Sequence, residues 1–168
     1  LEIELQLETC FEQATHLIIA TPSHAFKALL DTLPRTIKNL AWLTKGVDPQ
    51  TNQCLSELVA ERFGKNFPMA VISGPSFAKE VAKNLPTALV VAGNNTTYMQ
   101  HLHTCLHHTN LRVYLSNDLI GVQCAGAVKN VLAIACGISD SLNYGANAKA
   151  ALITRGLAEM TRLGLALG

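Results

Sequence analysis

The chain has 168 residues, 49% hydrophobic content and a formal net charge of +1, with 15% of its residues charged. That is enough apolar material to fill a core in one domain, or in one domain and part of another. It gives no basic field for nucleic acid and no dense Lys/Arg run for a membrane surface.

The opening LEIELQLETC lacks the basic region and apolar stretch of a signal peptide, so a soluble protein is expected. Cys10, Cys54, Cys105, Cys124 and Cys136 are odd in number and never at Cys-x-x-Cys spacing. Neither a disulfide framework nor a zinc ribbon is suggested, and a reducing cytoplasm fits. Thr9 followed by Glu12 has the capping-box signature for a first helix over residues 10–14. Strands are predicted for HLIIAT (16–21), LAWLT (40–44), MAVIS (69–73), ALVVAG (88–93) and LRVYL (111–115), with helices over 23–32, 54–63, 77–83 and 96–107. Most of the strand runs lack polar alternation, as strands buried on both faces do. Their alternation with helices predicts an α/β fold, a parallel sheet covered by crossover helices. In the last of these helices HLHTCLHH places His103 and His107 four residues apart on one face. Such pairs bind zinc, but no third ligand stands with them, so a solvated helix is expected and no metal.

After Asn117 no further strand appears. Two helices are predicted over 120–141 and 147–166, joined by the turn residues of SLNYGAN. The expected organisation is therefore an α/β unit over residues 1–117 and the start of a helical domain over 118–168. The first long helix carries a single charge between Asp118 and Asp140, Lys129, in LIGVQCAGAVKNVLAIACGIS. Burying an ammonium disfavours its charged form, one route to a lysine that transfers a proton. The segment is long enough to span a bilayer, but a central Lys costs about 2.5 to 3.5 kcal/mol there. Gln123 and Asn130 add to that cost, so no membrane span is expected. Ala125, Gly126 and Ala133 flank Lys129 on its helix face, leaving room for a substrate.

In an open parallel sheet, ligands bind outside the carboxyl ends of the strands. Four following loops carry chemistry: Pro22, Ser23, His24 and Phe26; Lys45 and Gly46; SGPSFAKE at 73–80; and the segment leading to the helix of Lys129. In the third, Gly74 permits close backbone approach, Pro75 fixes the turn, and Ser76 is placed to cap a helix from Phe77 whose free N–H groups favour an anion. The same spacing also suits a simple strand-to-helix turn. Lys45 reads either as a solvated charge or as a cation for a carbonyl oxygen or phosphate. Asn130 offers its amide to a substrate or to helix packing.

AWLTKG (41–46), VISGPSFAKE (71–80) and GVQCAGAVKNVLAIACGISD (121–140), extended by NAKAALITRGLAEM (147–160), closely resemble motifs of the NAD(P)-dependent glycerol-3-phosphate dehydrogenases of bacterial and archaeal soluble type. The resemblance implies a Rossmann-type domain followed by helices. It also implies reversible reduction of dihydroxyacetone phosphate by NAD(P)H to sn-glycerol 3-phosphate, for glycerophospholipid synthesis, in a cytoplasmic homodimer. By that resemblance Lys129 is the proton donor and acceptor, and Lys45 touches both substrate and cofactor. Gly74 and Ser76 bind substrate, Ala78 binds cofactor, and Phe26 matches an aromatic that packs against the cofactor. Nothing in residues 1–168 matches the family's GxGxxG phosphate loop or its Ser-Arg-Asn phosphate site. The chain is therefore expected to be an internal fragment of an enzyme roughly twice as long, inactive alone. The alternatives are a related lysine-dependent 2- or 3-hydroxyacid dehydrogenase, or a non-catalytic binding or dimerisation module.

Overall fold

A computed structural model of the chain describes residues 7–168; most of the segment read for a leader, residues 1–6, lies outside them. The described elements are α1 (Leu7–Gln13), β1 (Ile18–Ile19), α2 (Ser23–Thr32), β2 (Leu40–Trp42), α3 (Leu55–Phe63), β3 (Met69–Ser73), α4 (Ala78–Ala82), β4 (Thr87–Gly93), α5 (Thr96–Leu106), β5 (Leu111–Ser116), α6 (Leu119–Ser141) and α7 (Gly145–Leu167). The five strands form one sheet in the order β1-β2-β3-β4-β5.

Side chains alternate across this sheet and build a core on each face. Leu40, Trp42, Met69 and Val71 point to the face covered by Phe26 and Leu30 of α2 and by Leu55, Leu58 and Val59 of α3. Ala41, Ala70 and Ile72 point to the other, covered by Tyr98, Met99 and Leu102 of α5. Burial on both faces is why these strands are apolar without alternation.

The α/β architecture agrees with expectation, with one difference in strand direction. β1, β2 and β3 are parallel, β4 is antiparallel to β3, and β5 is parallel to β4. The connection over residues 74–86 contains only the five-residue α4, about 7.5 Å of helix. A five-residue strand is about 16 Å long. So short a helix does not carry the chain back along β3, and β4 starts at the edge where β3 ends. Consequently β5 ends at the opposite edge from the carboxyl ends of β1 to β3, and the loop before α6 is not grouped with the other three loops as the all-parallel sheet predicted.

Three helix starts are capped by residues other than those expected. Asn95 accepts a hydrogen bond from the Tyr98 N–H at 2.9 Å and Asp118 from the Gly121 N–H at 2.7 Å. At α3 the Glu57 carboxylate accepts from the Cys54 N–H at 2.7 Å, closing a capping box. Thr9, by contrast, lies inside α1 and not at its start.

α6 runs beside α3 from the far edge. Its Leu119 and Val122 pack on the core around Met69 and Val71. The next turn is fixed by a buried polar pair: the Ser56 N–H donates to Gln123 Oε1 at 3.1 Å, and Gln123 Nε2 donates to Ser56 Oγ at 2.8 Å. By length and composition α6 is also apolar enough to cross a membrane, yet this first part is committed to the sheet. Its later turns pack on α7, joined by the Lys149–Asp140 pair at 2.6 Å, and leave Val131, Ile134 and Ile138 exposed. Gln123→Leu keeps the apolar volume but strands the buried Ser56 N–H and hydroxyl. It should lower unfolding free energy by about 1 to 3 kcal/mol in urea denaturation, and an unchanged midpoint would show that the pair does not anchor α6.

Candidate active site

The carboxyl ends of β1, β2 and β3 lie on one edge of the sheet, so the loops that follow them are neighbours. Gly46 has φ +108°, and a Cβ built there would sit 3.6 Å from Ser23 Oγ, which brings the loop after β2 against the loop after β1. Gly74 has φ +152°, and its added Cβ would come 2.5 Å from the Ala88 carbonyl oxygen. The close approach expected at Gly74 is thus to the incoming β4 backbone, and only glycine fits there.

Lys45 leaves this edge half-buried, and among the described residues its Nζ donates only a long hydrogen bond, 3.4 Å, to the Leu43 carbonyl. Burial pushes the Lys45 ammonium below the ordinary 10.5, and the positive charge of Lys129 pushes it further the same way. Lys129 therefore lies close to it, although the two are far apart in sequence. Lys129 itself is half-buried, less enclosed than its apolar segment predicted.

The helix geometry explains the meeting. From Leu119 to Lys129, α6 rises about 15 Å, which matches the length of β3 that it runs along. At Gly126 the helix backbone comes so near the strand end that an added Cβ would lie 3.1 Å from Ser73 Oγ and 3.8 Å from Lys45 Cγ. The small residue expected to make room for substrate instead makes room for the sheet. One turn later Lys129 clears the carboxyl edge.

The other candidates divide. Ser76 is half-buried and its hydroxyl makes only a 3.5 Å contact to the Gly74 carbonyl. It does not cap α4, whose first turn has no side-chain cap, and a helix of one turn has little dipole to offer an anion. Ala78 and Asn130 are exposed, and Phe77 is 72% exposed. Phe26 does not join them: its ring is 0% exposed and packs edge-on against Trp42, with centroids 5.9 Å apart. It is a core residue of α2. Ser73 and Gln123 were not among the expected site residues, and a serine directly before Gly74 and an amide in an apolar helix were the available signals.

The histidines are engaged elsewhere. His103 and His107 stack at 4.6 Å, and His107 Nδ1 accepts from the Val113 N–H at 3.1 Å. Among the described residues no group of three His, Cys, Asp or Glu side chains is arranged to hold a metal ion.

A sheet with helices on both faces, neighbouring loops with positive-φ glycines at the carboxyl edge and a helix lysine delivered there from a following helical pair define a Rossmann-type α/β domain of the dehydrogenase class. Residues 1–99 match the model of the NAD-dependent glycerol-3-phosphate dehydrogenase N-terminus and residues 118–168 that of its C-terminus. The chain belongs to this family. It is 67% identical over 159 residues to glycerol-3-phosphate dehydrogenase [NAD(P)+] of Legionella pneumophila strain Lens, covering 95% of this chain and 48% of that protein. The protein of that name in Thioalkalivibrio sulfidiphilus is 50% identical over 171 residues, covering 100% and 51%. The crystal structure of glycerol-3-phosphate dehydrogenase from Coxiella burnetii superposes with a TM-score of 0.89 at 47% identity, covering 97% of this chain and 50% of that one. The chain thus spans about half the length of the curated relatives it matches.

The lowered Lys45 value has two consequences of definite sign. The folded state holds that proton less tightly than the unfolded chain, so the cost to stability is fully present at neutral pH and is relieved as pH rises towards 10.5. Anion binding at the lysine pair should weaken over the same range, as the charge is lost. A titration of inorganic phosphate between pH 7 and 11 should show affinity falling before pH 10.5, and flat affinity across that range would exclude Lys45 from the anion site.

Proposed function

We propose that the protein carrying this chain is an oxidoreductase that transfers hydride between NAD(P)H and dihydroxyacetone phosphate, giving sn-glycerol 3-phosphate reversibly. The observation that carries this reading is the convergence of Lys45 and Lys129 at the carboxyl edge of the parallel strands. Two half-buried cations with no acidic partner among the described residues suit a substrate with both a phosphate and an oxygen that gains charge during reaction.

The residues present fit the reacting end of a nicotinamide cofactor and its substrate. The edge is open at Ala78 and Asn130 and tight at Gly74. A bound nicotinamide supplies or removes the hydride. The chain's part is to manage charge. Reduction leaves negative charge on the substrate oxygen; Lys129 neutralises it and gives its proton, and in the reverse direction takes the proton from the alcohol. Lys45 holds the substrate beside the cofactor and adds a second positive charge. Gly74, Ser76 and Asn130 contribute substrate contacts, and Ala78 lines the cofactor side.

The same reading makes residues 1–117 the dinucleotide-binding part and 118–168 the first helices of the substrate domain. It puts the protein in the cytoplasm as a homodimer that supplies glycerophospholipid synthesis. In the complete protein, Lys129→Met should cut turnover at least about a hundredfold with an unchanged circular dichroism spectrum. Near-normal turnover would overturn the proton-transfer role. Lys45→Ala should raise KM for the keto phosphate and lower kcat, and no change in either would return Lys45 to the status of a surface charge.

A further inference from the structure

Resting on that reading, we infer that Ser73 is a further substrate-binding residue, its hydroxyl donating to the substrate oxygen served by Lys129. Ser73 is the last residue of β3 and only 8% exposed. By strand alternation it shares a face with Met69 and Val71, the face on which α6 lies. Its Oγ is 3.1 Å from the position a Cβ on Gly126 would take, and Lys45 Cγ is 3.8 Å from that same position. The hydroxyl therefore sits at the seam between strand end and helix, beside the stem of Lys45 and one helical turn from Lys129.

A buried hydroxyl ordinarily finds a partner inside the protein. Among the described residues Ser73 Oγ has none, and it is not one of the fully enclosed unpaired atoms such as Ser139 Oγ. It therefore keeps some contact with solvent at the seam between β3 and α6. An alcohol there is a neutral donor: it can bond the carbonyl oxygen of the ketone or accept from the hydroxyl of the product without adding a third charge to the lysine pair. Gly126 keeps the position clear. A methyl at that residue would press on Oγ and turn it from this position.

The test uses the complete protein, with steady-state kinetics on dihydroxyacetone phosphate, NAD(P)H binding followed by nucleotide fluorescence, and thermal melting. Ser73→Ala should raise KM for the keto phosphate about threefold to tenfold, the worth of one neutral hydrogen bond, leaving cofactor affinity and melting temperature unchanged. Gly126→Ala should give a similar KM defect in the Ser73 background and almost none when added to Ser73→Ala, because the atom it presses on is then gone. Ser73→Cys, close in volume but a poor donor, should behave as Ser73→Ala and covers the case in which the alanine variant does not fold. Normal KM in the alanine and cysteine variants of an active enzyme would overturn the inference while leaving the proposed function standing. Fully additive effects of the Ser73 and Gly126 changes, or equal losses of cofactor affinity and melting temperature, would also overturn it. Absence of dehydrogenase activity in the wild-type protein would overturn both.

Discussion

The close seating of α6 on the end of β3 is the constraint on which the site depends. Because β4 and β5 run against the first three strands, the chain enters α6 at the wrong edge for chemistry. It reaches the right edge only by travelling the length of a strand as helix. Leu119 and Val122 bury the first turn, Gln123 and Ser56 fix the second, and the missing side chain of Gly126 allows contact with Ser73 and Lys45. Each contact is local and modest in energy. Together they set how far and at what rotation Lys129 emerges.

Two lysines brought together in this way repel one another, and the protein leaves that repulsion in place. Among the described residues Lys45 has a single long bond, to a backbone carbonyl, and Lys129 adds to its lowered affinity for a proton. Folding has been driven elsewhere, by apolar residues on both faces of the sheet. The repulsion favours whatever negative group arrives beside the two lysines, since its arrival relieves a cost already present. Electrostatic preorganisation of this kind needs no rearrangement when charge develops on a reacting oxygen. Gly74 contributes by steric means, holding its turn against the β4 backbone at a distance no other residue permits, and Gly46 supplies a positive φ beside Ser23.

Much of this was legible in the amino-acid sequence, for identifiable reasons. The MAVIS run read as a strand because burial on both faces removes polar alternation, and Lys129 stood out because nothing near it in its segment is charged. The direction of β4 was not legible, since it depends on how little helix residues 74–86 form and on which edge partner is free. For Phe26 the resemblance implied a cofactor contact, while packing encloses its ring in the core, edge-on to Trp42. Gln123 counted only as a polar burden in an apolar helix because its partner, Ser56, lies far away in sequence. The helix caps at Asn95 and Asp118 were visible as residue types, but nothing in sequence ranked them above Thr9.

The most direct test of the account is the titration of the Lys45 ammonium, followed by NMR of lysines labelled with carbon-13 at the ε position, in the wild type and in Lys129→Met. If α6 delivers Lys129 beside Lys45, Lys45 titrates below 10.5 and its midpoint moves up when the second charge is removed. A Lys45 midpoint that is the same with and without Lys129 would contradict the seating of the helix and the site built on it.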